Sequence, residues 1–185
     1  MSSAYRHKLL LNNSDLNETR GVQYTDWVWD ESACGSKLII ENNGKVVQAR
    51  GAHQNVRTKI ALENDAIFEW DVFIEKYCVY SWIGVCASEG FDYEKFAGDQ
   101  HTGWVLGSNG SCFHSGNSVK YCPSFEGDNS KVTVHLDMKK RTCAFTVNGT
   151  IYPVVSEWND LPSKLYPVVS LRSPGKFRIQ SHQKI

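Results

Sequence analysis

Glu69, Asp71 and Glu75 crowd into Glu69-Trp-Asp-Val-Phe-Ile-Glu75, the kind of acidic cluster from which a glycosidase draws its acid and its nucleophile. Spacing argues against that use. At about 3.3 Å per residue the outer glutamates of a regular strand lie roughly 20 Å apart, whereas a retaining pair needs its carboxyls about 5–5.5 Å apart. Cys112-Phe-His114 followed by Cys122 is the nearest approach to a metal cluster, but it lacks paired ligand spacing, and the sequence has no Cys-x-x-Cys. His101 and His114 can titrate in a useful range, yet neither has a Ser/His/Asp or Cys/His constellation near it in sequence, and a satisfied histidine is the default. The sequence shows neither a Gly-x-Ser-x-Gly elbow nor a phosphate-cradling glycine loop. Glu126-Gly-Asp-Asn129 is too thin to be a lectin's calcium cluster. The expectation is a protein that is not an enzyme and needs no cofactor or metal.

Composition narrows the partners. Twenty Lys+Arg balance twenty Asp+Glu, so no basic footprint favours phosphate backbones or anionic lipid, and neither nucleic acid nor membrane is expected as a partner. The 185 residues, 41% hydrophobic and 22% charged, suffice for one domain with a sizeable core. The only apolar run near the N-terminus is Leu9-Leu-Leu11, too short for a signal sequence, which predicts a soluble, cytoplasmic, monomeric protein. Four Asn-x-Ser/Thr sequons, at Asn12, Asn17, Asn109 and Asn148, leave secretion open. The six cysteines, at 34, 78, 86, 112, 122 and 143, are never closer than eight residues, so reduced thiols are expected. Cys86 and Cys143 share strand parity with apolar neighbours and read as small buried hydrophobes.

Period-two alternation dominates, which makes the chain all-β. Lys37 to Arg50 reads as a hairpin around a two-residue Asn43-Gly44 turn. Ala66 to Glu75 puts Phe68, Trp70, Val72 and Ile74 on a core face and Glu69, Asp71 and Glu75 on a polar one. Cys78 to Ala87 is more evenly apolar and suits a central strand. Further strands are predicted at 103–107, 111–114, 131–137, 142–147, 164–171 and 176–180, with turns between them, including Met138 to Arg141 and Asn148-Gly149. Regular short strands imply a sandwich. Tyr152-Pro-Val-Val-Ser156 recurs as Tyr166-Pro-Val-Val-Ser170, and both copies read as segments with Pro near the first position of a strand. Residues 1–30 read as a loose N-terminal extension pinned at its end by Trp27 and Trp29, and residues 31–185 as the domain proper.

Trp82-Ile-Gly-Val-Cys-Ala87, Gly103-Trp-Val-Leu-Gly107 with Phe113-His-Ser-Gly116, Val132-Thr-Val-His-Leu-Asp137 with Cys143-Ala-Phe-Thr-Val-Asn-Gly149, and Leu161-Pro-Ser-Lys-Leu-Tyr-Pro-Val-Val-Ser170 occur in that order. From about Ser36 to Gln180 the chain resembles the SPRY domain. It is most similar to the SPRY domains of Ran-binding-protein scaffolds and of SOCS-box adaptors. The resemblance implies a bent, two-sheet antiparallel β-sandwich of the concanavalin-like type, used as a protein-binding module. That fold also hosts lectins and glycoside hydrolases, the alternative reading. RING, coiled-coil, SOCS-box and LisH motifs are not found in these residues, so the roles that such segments bring do not carry over.

The resemblance also implies a site for a protein or a short extended peptide on loops at one end of the sandwich. The corresponding positions are Arg50, Gly51, His53, Gln54 and Asn55 in a loop at 51–57, Val79 at a strand entrance, Tyr93 in the polar loop 88–101, and Arg172, Ser173 and Pro174 in the last turn. Adaptor-type relatives carry a bulky tryptophan in that turn, where this chain has Ser173-Pro174. Tyr93 reads equally as an interface anchor and as a plug from loop to core. Phe96 reads as buried, and Trp70 and Trp104 as core.

Overall fold

The computed structural model describes residues 27–182. Among them, strands β1 (Trp29–Cys34), β2 (Leu38–Glu41), β3 (Val46–Ala49), β4 (Gln54–Thr58), β5 (Ile67–Lys76), β6 (Trp82–Cys86) and β7 (Gly103–Gly107) are followed by β8 (Ser111–His114), β9 (Asn117–Lys120), β10 (Ser130–Asp137), β11 (Thr142–Val147), β12 (Thr150–Ile151), β13 (Tyr166–Leu171) and β14 (Lys176–Ser181). They form two antiparallel seven-stranded sheets, ordered β1-β4-β13-β6-β7-β8-β9 and β12-β11-β10-β5-β14-β3-β2. This is the all-β sandwich that the alternation predicts. Among the described residues no helix is long and apolar enough to cross a membrane.

The two sheets meet through their inner faces. Phe68, Trp70, Val72 and Ile74 of β5 are all buried there, as predicted, against Ile83 and Val85 of β6, Trp104 and Leu106 of β7, and Val169 and Leu171 of β13. Fully burying side chains of this size contributes roughly 1.5–3 kcal/mol each. Trp27 packs on Trp70 with ring centroids 5.7 Å apart, and β1 begins at Trp29, so the sandwich starts before the expected boundary at residue 31. The expected loose segment up to residue 26 lies outside the described residues. The first sheet also buries much of its outer face. Trp82, Cys86, Val105, Tyr166 and Val168 form a second cluster beneath Phe91 and Ala97 of the 88–101 segment, with Tyr93, Phe96 and Phe113 packed against it.

Several local expectations change. Residues 51–57 are not one loop, because Gln54–Thr58 is β4, paired with both β1 and β13. Its sequence hides this, since Val56 is its one aliphatic side chain and Asn55 and Arg57 project under the 88–101 segment. The hairpin β2–β3 closes over four residues rather than two, with Glu41 opposite Val46 and Asn42, Asn43 and Gly44 all at positive φ. The second Asn-Gly pair does make a two-residue turn, with Val147 opposite Thr150 and φ of 47° at Asn148 and 84° at Gly149. Of the two Tyr-Pro-Val-Val-Ser copies only the second is a strand: β13, wholly buried between β4 and β6 in its sheet. Residues 78–81 lead into β6 as irregular backbone, and β9 and β12 are edge strands that alternation did not reveal. Five cysteines are buried and Cys34 partly so, and all six are free thiols.

Candidate functional site

Three segments converge at one end of the first sheet. The turn after β13 is closed by Gly175 N donating to Arg172 O at 2.7 Å, and Ser173 N donates to Gly51 O at 2.8 Å, so residues 50–51 and 172–173 run side by side. The Ser173–Pro174 peptide bond in this turn is cis. The third segment, Cys78 to Ser81, packs beneath it: a Cβ built on Gly175 would stand 2.8 Å from Cys78 Sγ, so only glycine fits that approach. His53 fastens the third segment to the first, with Nε2 3.0 Å from Tyr80 O and 3.3 Å from Val79 O. Carbonyls only accept, so Nε2 carries the proton and donates. Desolvation, helped by the Arg172 charge, holds the His53 pKa below its usual value, although the two carbonyls pull the other way.

The chemistry of this end is aromatic and cationic. Trp82, the first residue of β6, is the hub: Tyr80 stacks on it (5.9 Å, interplanar 13°), His53 meets it edge-on (4.9 Å) and Phe96 lies 4.1 Å away. Tyr80 remains 52% exposed and Val79 55%, an apolar pair facing solvent above a buried tryptophan. Tyr80 holds φ 61°, a left-handed conformation that costs a non-glycine residue of order 1 kcal/mol or more and is held by the stacking and by the His53 hydrogen bond. Arg50 and Arg172 are exposed, and neither pairs with a carboxylate among the described residues. Of the predicted positions, Arg50, Gly51, His53, Val79, Arg172, Ser173 and Pro174 gather here.

Gln54, Asn55 and Tyr93 are placed differently. Gln54 is buried, accepts from Lys37 N at 2.7 Å through Oε1 and donates from Nε2 to Ser36 Oγ and Glu94. Asn55 is fully buried, and its Nδ2 donates to Asp92 O and Lys95 O, tying the 88–101 segment to β4. Tyr93 takes the plug role: its hydroxyl accepts from Arg57 Nε at 2.9 Å and its ring packs edge-on against Phe91 at 5.1 Å. Arg57 lies towards the end of β4 remote from His53, so the Tyr93 hydroxyl is tied away from residues 50–53 while its ring packs against the second cluster. Phe96, expected to be buried, is only partly so. Sequence reading overlooked Tyr80, whose signal was available: an aromatic beside Val79 just before an apolar strand.

The acidic residues that raised the glycosidase alternative are each engaged on the outer face of the second sheet. Glu69 contacts His135 Nδ1 at 3.1 Å and His182 Nδ1 at 3.2 Å, and Glu75 accepts from Arg178 Nε at 3.0 Å. Asp71, expected to be exposed, is buried because Thr133 Oγ1 donates to it at 2.5 Å and His182 Nε2 lies 2.9 Å away. Among the described residues no group of three or more His, Cys, Asp or Glu side chains is arranged to hold a metal ion.

The chain thus folds as a two-sheet antiparallel sandwich with loops gathered over one sheet's end. The SPRY domain family model matches residues 67–183, and the chain belongs to that family. A Ran-binding proteins 9/10 homolog of Drosophila melanogaster is 34% identical over 100 residues, covering 52% of this chain and 10% of the relative, so the chain spans about a tenth of that protein's length. Among solved structures, the SPRY domain of human HERC1 superposes with a TM-score of 0.72 at 20% identity, covering 85% of this chain and 99% of that one. The stonustoxin structure matches with a TM-score of 0.62 at 15% identity, over 83% of this chain and 26% of that one. Both share the fold, and the resemblance to Ran-binding-protein SPRY domains is borne out. SPRY domains generally serve as protein-interaction modules.

Proposed function

We propose that this domain binds a partner protein, through a short extended segment, at the end formed by residues 50–53, 79–82 and 172–174. One observation carries the reading: Val79 and Tyr80 stand exposed over the buried Trp82 ring, beside two guanidinium groups, and aromatic and arginine side chains dominate binding hot spots. The module acts as a non-catalytic monomer in the cytoplasm and takes neither nucleic acid nor membrane, in keeping with its balanced charge. Gln54, Asn55 and Tyr93 support the site by holding β4 and the 88–101 segment in place.

The test uses a partner recovered by pull-down and measures its affinity for Tyr80→Ala and Arg50→Ala, with Lys139→Ala in the β10–β11 turn as control. Loss of a hot-spot side chain costs about 2 kcal/mol or more, which is about thirtyfold in Kd. Wild-type affinity in both variants, with loss in the control, moves the site to the other end of the sandwich.

A further inference from the structure

We propose that the bound segment is acidic: an extended stretch of a partner protein that sets an Asp or Glu carboxylate between Arg50 and Arg172 and an adjacent apolar side chain over Val79 and Tyr80. This rests on the binding end assigned above and adds the chemistry of its occupant. Arg50 and Arg172 are carried on neighbouring backbones joined by the Ser173–Gly51 hydrogen bond, so both guanidinium groups issue from one small area. The aliphatic stem of Lys37 packs against Gly51, the residue next in sequence to Arg50. Arg172 is also close enough to His53 to disfavour a further proton there.

Nearby acids do not neutralise these cations. Glu94 is held by Ser36 N at 2.8 Å, by Ser36 Oγ and by Gln54, and Asp92 faces Lys95. Of the other described arginines, Arg57 faces Asp30 at 3.6 Å and Arg178 faces Glu75 at 3.0 Å, and Arg141 stands exposed and alone in the β10–β11 turn. In a chain of zero net charge, a local pair of free guanidinium groups is a feature of this end rather than of the whole surface. Guanidinium groups favour planar carboxylates through paired hydrogen bonds. Nucleic acid fits less well, because its affinity comes from many phosphate contacts, and half of this surface is an exposed valine and tyrosine.

The experiment is a peptide-phage selection on the full chain, run with wild type, with Arg50→Glu/Arg172→Glu, with Arg50→Gln/Arg172→Gln and with Tyr80→Ala. Circular dichroism and thermal melts confirm that each variant is folded. Wild type is expected to enrich Asp or Glu next to an aliphatic or aromatic residue, and the selected peptides, fluorescein-labelled, are expected to bind the glutamine variant at least tenfold more weakly. The charge-reversed variant should enrich Lys or Arg instead, and Tyr80→Ala should bind neither set.

Peptides that lose binding to Tyr80→Ala yet show no acidic preference and tolerate both double variants would overturn the acidic occupant while leaving the binding end intact. Peptides that bind Tyr80→Ala and both double variants like wild type overturn the binding end itself. Failure to enrich any peptide, tighter binding to a single-stranded RNA or to phosphatidylserine vesicles, or a dimer by light scattering that Tyr80→Ala dissolves would each assign the surface to another occupant and sink the proposal.

Discussion

Asn55 and Ser170 sit opposite each other in the β4–β13 pairing, both fully buried, and they predict opposite outcomes. Asn55 Nδ2 donates to two carbonyls of the 88–101 segment that Gln100 Nε2 also serves, so Asn55→Ala removes two hydrogen bonds without stranding either acceptor and should cost about 1–3 kcal/mol in urea unfolding. Ser170 Oγ is buried with no hydrogen-bond partner among the described residues, so Ser170→Ala removes a desolvated hydroxyl and should leave stability unchanged or slightly raised. A large loss from Ser170→Ala would show that this hydroxyl has a partner in solution. Cys34, the least buried thiol, has its pKa pushed up to about 11, chiefly by burial and then by the charges of Glu94, Glu31 and Asp30. It should therefore alkylate slowly in the folded protein at pH 8, and full labelling in denaturant should recover six thiols. Fewer than five would overturn the reduced state. Wide cysteine spacing was legible in the sequence, but the hydrogen bonds of Asn55 and Gln54 were not, because their partners come from other segments, 17 to 40 residues away.

Turns and edge strands separate what sequence specifies locally from what it does not. Asn42-Asn-Gly44 and Asn148-Gly149 both supply positive-φ residues, yet only the second closes a two-residue hairpin, because register follows from how the flanking strands bury their faces. Gly149 at φ 84° has open space where a Cβ would stand, so Gly149→Ala tests backbone conformation alone. We expect a loss of about 1–2 kcal/mol, read as a lowered Tm, with the β10–β11–β12 chemical shifts moving most. An unchanged Tm would mean that the turn relaxes to another type. β4 was invisible to alternation because its outward residues are buried beneath a loop rather than bathed in water. A polar strand covered by a polar loop looks, in sequence, like more loop.

Across the whole molecule, two sets of groups set the pH limits of stability. The Glu69 carboxyl is held below its usual range, first by the hydrogen bond to His135 and further by His182. A depressed acid stabilises the fold above the unfolded-state pKa and loses that contribution as pH falls through the native one, so stability should decline below about pH 4.5. Glu69→Gln should flatten that decline, modestly, because the carboxylate is largely exposed. At the alkaline end, burial pushes the thiols of Cys86, Cys112 and Cys143 well up, and that of Cys34 to about 11. Unfolded thiols ionise first, so this contribution is full below about pH 9 and falls as pH rises beyond it. Urea midpoints at several pH values check both arms, and a flat profile from pH 3 to 10 would contradict them.

Two-residue periodicity, ordered tryptophan and glycine motifs and neutral composition determined the class of this protein, because strand faces are written in adjacent residues and a family's core motifs repeat them. Those features placed β5, β6, β7, β10 and β11 and the end at which the loops meet. Tertiary structure decided which residues stand free there. It sent Tyr93 inward onto Arg57, used Gln54 and Asn55 as struts, and brought Tyr80 out over Trp82. It left Arg50 and Arg172 on adjoining backbone without carboxylate partners among the described residues, since exposure and ion pairing depend on which distant strands become neighbours, and local sequence does not encode that adjacency.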